Sequence, residues 1–163
     1  MKKIISILIV VSLMVTFFSF NIDATYDNNF VPYVVDFEIS AESFENSEDE
    51  NSARVSGLIT SYSLSLSKTG TTLNLTGTTH GTSEVVRSGF KNLTVQRRKS
   101  SSYDWEDYYE FGNVYVDAFA AALDTTVVVA SGYQYRISCK HYAKKSLLVT
   151  QTIANTSGIV TVS

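Results

Sequence analysis

Nine consecutive residues, Tyr103 to Phe111, hold four carboxylates and five aromatic rings. Paired carboxylates beside aromatic rings are what glycoside cleavage requires, because rings stack on sugar faces while two acids flank the bond. Period-two alternation weakens that reading. It turns Tyr103, Trp105, Tyr109 and Phe111 inward and Asp104, Glu106, Tyr108 and Glu110 outward. The outer acids then lie opposite Arg98 and its neighbours on the preceding strand as cross-strand ion pairs. The candidates for a sugar or surface contact are Trp105, Tyr108 and Tyr109: Tyr108 on the outer face, together with whichever of Trp105 and Tyr109 escapes the core.

Other reactive residue types form no recognisable constellation. His80, in the loop-like run Thr78 to Thr82, and His141 are the only histidines, and neither has the neighbours of a metal site. No serine sits in a Gly-x-Ser-x-Gly elbow of the kind that presents a nucleophile. Cys139 and His141 share one side of a strand, in line with Tyr133, Tyr135 and Ile137, so both face a core where a thiol is inert. No cofactor, metal or catalytic residue is expected. Arg97, Arg98 and Lys99 beside Trp105 resemble a nucleic-acid patch, but an anionic wall polymer, contact with an acidic segment of the same chain, or plain solvation of a hairpin end suits them better. Nucleic acid is not an expected partner.

The elements that position these residues read as strands. Ser61 to Ser67 alternates serine with Tyr62, Leu64 and Leu66, the pattern of a half-buried strand. Lys68 to Gly70 supplies a turn, and Leu73 and Leu75 alternate inward after it. Further strands are expected over 92–97, 103–111, 125–130, 133–142 and 146–153. The run 117–124 is alanine-rich enough for one helical turn. About seven short strands with Gly, Ser and Thr turns predict an all-β chain, a single antiparallel β-sandwich of immunoglobulin or fibronectin III-like type.

Lys2 and Lys3, an apolar run from Ile4 to Phe20 and the small residue Ala24 at the cleavage point describe a secretory signal peptide over 1–24, preferred to an uncleaved membrane span because no Lys or Arg cluster follows Phe20. The mature protein is then extracellular, held at most loosely at the surface, with no integral membrane span after cleavage. Residues 25–53 carry eight acidic residues and no Lys or Arg, whereas 54–163 carry eleven basic and seven acidic ones. The first stretch reads as an acidic, partly disordered leader. Its apolar part, 30–39, is open to three readings: a strand pairing with the domain, a partner-binding segment or a processing remnant. The second stretch is the β-sandwich domain. One cysteine in the chain forbids an internal disulfide, so packing alone must stabilise this domain.

Gly132 to His141, Arg54 to Gly57 with the Ser-Leu alternation, Leu75 to Thr79, and Val95 to Arg97 leading into Trp105 together resemble an uncharacterised family of small exported proteins of Gram-positive, Firmicutes-type bacteria. The chain departs from that pattern at Ala143 to Ser146, where a Gly- and Ser-rich loop is expected. The resemblance implies a sandwich-like exported domain and brings no catalytic residue. The function expected is non-enzymatic binding of a glycan, a cell-wall polymer or a surface protein. In the alternative, the leader 25–53 masks the domain or is released from it by proteolysis.

Overall fold

The computed structural model describes residues 30–41, 53–54 and 57–163. The expected signal peptide and the acidic run 45–52 lie outside these residues, apart from Ala53 at the leader's end. The described residues form ten strands and no helix: β1 (Tyr33–Ala41), β2 (Ala53–Arg54), β3 (Ile59–Thr69), β4 (Thr72–Gly81), β5 (Arg87–Arg98), β6 (Glu106–Val116), β7 (Ala120–Val128), β8 (Tyr133–Lys144), β9 (Thr150–Thr156) and β10 (Val160–Val162). One sheet has the order β1-β7-β4-β3-β2. The other has the order β10-β8-β5-β6, with β9 on β8 as well. β10 pairs with Tyr133–Tyr135 and β9 with Ser138–Lys144, so the two follow one another along the same edge of β8. Every pairing is antiparallel. The chain changes sheet between β4 and β5, between β6 and β7 and between β7 and β8, the interleaving of an immunoglobulin-like sandwich.

The core lies between the sheets and follows from alternation. On β8, Tyr133, Tyr135, Ile137, Cys139 and His141 are all buried. They meet Leu73, Leu75, Leu93, Val95 and Val127 from the strands opposite and beside them. The Tyr135 hydroxyl donates to the Ala130 carbonyl at 2.7 Å. This ties the start of β8 to the loop that leaves β7, the tyrosine corner of such sandwiches.

Three expectations about element bounds need correction, and the apolar part of the leader takes the first of its three readings, a strand pairing with the domain. Ala120–Leu123 is strand, since β7 lies between β4 and β1, and that pairing overrides alanine's helical preference. Tyr103 sits in the turn before β6 and is exposed, not turned inward. Residues 146–149 are the β8–β9 turn, and β9 starts at Thr150. Residues 33–41, from the expected leader, form the edge strand β1 on β7. Val34 and Ile39 of β1 pack against the core, Phe37 stacks on Phe111 at 5.5 Å, and Thr125 Oγ1 donates to the Asp36 carbonyl at 2.5 Å.

Removing the Tyr135 hydroxyl tests the corner. Tyr135→Phe leaves the Ala130 carbonyl buried without this partner, and is expected to lower unfolding stability by about 1–3 kcal/mol, measured by denaturant titration, with the fold retained.

Candidate functional site

The site builds from the register of β5, β6 and β8. Gln96 lies opposite Arg136 and Arg98 opposite Gln134. Side chains alternate across a strand, so with Val95 and Ile137 in the core, Gln96, Arg98, Gln134 and Arg136 stand on the outer face. There they interlock. Arg136 Nε donates to Gln96 Oε1 at 2.8 Å, Gln96 Nε2 to Asp107 Oδ1 at 2.8 Å, and Arg98 Nε to Gln134 Oε1 at 2.9 Å.

Trp105 completes this face. Its ring has the Arg98 guanidinium 4.4 Å and the Arg136 guanidinium 4.3 Å from its centroid, both within cation–π range. The expectation that Trp105 turns inward is corrected: it is half-buried on the outer surface. Burial, and then the like charge of Arg98, push the Arg136 pKa below its ordinary value. Two cations held this close to one indole favour an incoming anion.

The other two candidates do not join it. The β5–β6 register shifts between Val95 and Gln96: Val95 faces Tyr109 while Gln96 faces Asp107. The extra residue is Tyr108, and a bulge of this kind re-aims a side chain. Tyr108 therefore packs against the core, its ring 5.8 Å from that of Tyr135 and its hydroxyl donating to the Phe30 carbonyl at 3.3 Å. Burial first of all raises its pKa. The outward placement of Tyr108 is thus overturned. Tyr109 also packs against the core, edge-on to Phe111 at 5.0 Å.

Beside Trp105, the β5–β6 turn opens a cleft of about 200 Å³ lined by Arg97, Arg98, Lys99, Tyr103, Asp104, Glu106 and Tyr133. Its size suits one small group rather than a drug-sized ligand. Arg97 forms one wall, over the rings of Tyr108 at 4.2 Å and Tyr133 at 4.6 Å. Its Nε meets Glu106 Oε1 at 2.5 Å, while its Nη1 is buried with no hydrogen-bond partner. Burial opposes the charge on Arg97, but the bond and attraction to Glu106 outweigh it and hold the pKa above its ordinary value. The expected cross-strand ion pair therefore forms, between Glu106 and Arg97, the neighbour of Arg98. Glu106 is committed to Arg97 and Asp107 to Gln96. Sequence reasoning passed over Arg136, whose place beside Trp105 depends on a strand 31 positions further along the chain.

Cys139, His141 and Asn155 do come together, inside the sandwich. Asn155 Oδ1 accepts from the Thr156 amide at 2.8 Å, which orients its Nδ2 toward His141 Nε2 at 3.2 Å. Nε2 must then accept, so Nδ1 carries the proton and donates to Thr79 Oγ1 at 2.8 Å. Thr79 in turn donates to the Gly89 carbonyl at 3.1 Å. The ring is fully buried and burial lowers its pKa to about 4. Cys139 Sγ lies 3.9 Å from Nε2, but burial pushes the thiol up to about 12, and the thiol is not the reactive form. Among the described residues no group of three or more His, Cys, Asp or Glu could hold a metal ion.

No protein-family model matches the chain, and no curated protein matches it. Among solved structures, a family 123 glycoside hydrolase from Clostridium perfringens, analysed for glycolipid glycan hydrolysis, is similar over 56% of this chain and 22% of its own, at 14% identity and a TM-score of 0.26. A likeness of that size carries no inference about activity.

Two measurements check the buried network. An unfolded histidine titrates near 6.5 and the folded one near 4, so the unfolded chain binds the extra proton as pH falls. Stability is therefore full above about pH 6.5 and declines toward pH 4, by about 3 kcal/mol in total. Denaturant titrations across that window should show the decline, and His141→Gln should flatten it. Cys139 should resist alkylation in the native protein and react fully in denaturant.

Proposed function

We propose that the protein is an exported, non-enzymatic binding module that takes up an anionic, hydroxylated polymer, a wall polymer or acidic glycan, across the outer face at Trp105. The observation that carries this reading is the placement of Trp105 on the surface with the guanidiniums of Arg98 and Arg136 against its ring. Arginine forks match carboxylate and phosphate geometry. The neighbouring carboxylate of Asp104 is exposed and offers an acceptor for a sugar hydroxyl. Tyr103, 57% exposed at the cleft, adds an aromatic face.

A surface protein as ligand is less well supported, because the patch is charged and small beside a protein interface. Masking or release of the leader also draws less support. Its described part, β1, is built into the sheet that does not carry Trp105.

The test is sedimentation of the chain from Thr25 with Gram-positive sacculi, with their anionic polymers intact or stripped. The wild type should bind intact sacculi. Trp105→Ala, and Arg98→Ala with Arg136→Ala, should each weaken binding by roughly 10- to 100-fold, the worth of one or two charge-assisted contacts. Binding unchanged in both variants, or equal binding to stripped sacculi, would sink the proposal.

A further inference from the structure

The β8–β9 turn presents apolar side chains where the fold has no use for them. Ser146 and Val149 exchange backbone hydrogen bonds at 3.4 Å, and the Lys145 amide donates to the Val149 carbonyl at 3.0 Å. Leu147 and Leu148 thus occupy the tip of the five-residue connection between the last β8–β9 pair, Lys144 and Thr150, a place where short polar turn residues are usual. Among the described residues Asn92 is the one non-glycine with positive φ, so the leucines adopt no special backbone conformation. Nor do they bury anything: Leu147 is 84% and Leu148 92% exposed. Two leucines that serve neither the turn nor the core point to a role outside the fold.

Their surroundings specify that role. Val149 and Val86 are also exposed, and the Val86 amide donates to the Lys144 carbonyl at 2.8 Å, so four apolar side chains gather at this end. Behind them on β5 and β8 and in the turn stand Arg87, Lys91, Lys140, Lys144 and Lys145. Asp117 pairs with Arg87 and Glu84 with Lys145, so five cations less two anions leave +3. The apolar groups project from a convex tip. A protein partner would need a matching hollow, whereas the acyl layer of a bilayer imposes no shape. Long basic side chains beside such a tip can lie along apolar surface and keep their charges at headgroup level.

We propose that this turn is a lipid-insertion tip: Leu147 and Leu148 enter the interfacial layer of an anionic bilayer while Lys144 and Lys145 meet its headgroups. Two leucines with a basic collar give weak, reversible attachment, short of anchoring. The tip lies at the opposite end of β8 from the Trp105 face, about 40 Å away at strand rise. The two sites are therefore independent.

The experiment uses the chain from Thr25, acidic segment included, with vesicles of phosphatidylcholine alone or enriched in phosphatidylglycerol. The wild type should sediment with the anionic vesicles. Leu147→Ser with Leu148→Ser, which removes no packed side chain, should lower partitioning by roughly tenfold or more. Leu148→Trp should add an emission component that shifts to the blue on vesicle addition. The proposal is overturned if the wild type ignores anionic vesicles, or if the double serine variant binds as well and is released by salt, leaving the basic sheet as a simple anion binder. It is also overturned if the leucines support self-association with no vesicle binding.

Discussion

The hydroxyl of Tyr135 bonded to the Ala130 carbonyl fastens the start of β8, the strand that brings Gln134 and Arg136 to the candidate binding face. It fixes where the chain stops crossing between sheets and begins β8. That start sets which residues of β8 stand beside which residues of β5. A one-residue slip would send Arg136 to the core and Tyr135 to solvent. With the corner closed, Gln96 meets Arg136, Arg98 meets Gln134, and the two guanidiniums reach Trp105. A buried bond thus governs an exposed charge pattern.

The same region shows where alternation succeeds and where it stops. Ser61 to Ser67, Leu73 with Leu75, and Tyr133 to His141 are regular ladders, and their inward and outward residues are legible directly from the sequence. The seven expected strands map onto β3 to β9, and Gly70 with Thr71 closes the β3–β4 hairpin beside the expected turn. The run Tyr103 to Phe111 reads just as regularly but folds otherwise. Its bulge opposite Val95 and Gln96 inverts Tyr108, and the turn before Glu106 takes Tyr103 and Trp105 out of the ladder. Bulges follow from how two strands are matched, and a single strand's residues do not record that. β2 and β10, two and three residues long, are too short to show any period.

The site was therefore only partly legible. Trp105 stands out as the lone tryptophan among acids, and Arg97 and Arg98 as neighbours in sequence. Arg136 reads as an ordinary outward residue of a strand, and only the pairing of β8 with β5 gives it meaning. The set of buried Thr79, Cys139 and His141 with half-buried Asn155 illustrates the converse. Residue types that elsewhere do chemistry are used here to satisfy one another, the buried His141 ring being held between buried Thr79 and half-buried Asn155.

β1 carries a consequence for how the chain reaches this state. Val34 pairs with Val127, 93 positions later, while β3 finds β4 across a tight hairpin. Among the described strands β1 is the first in order of synthesis, and its partner is the seventh. Local hairpins can close early, but β1 must wait, since long loops delay pairing more than they weaken it. Until β7 exists, the strand holding Val34, Phe37 and Ile39 travels unpaired. Asp36 and Glu38 set like charges along this edge strand, the kind of composition by which sheet edges resist pairing with another copy.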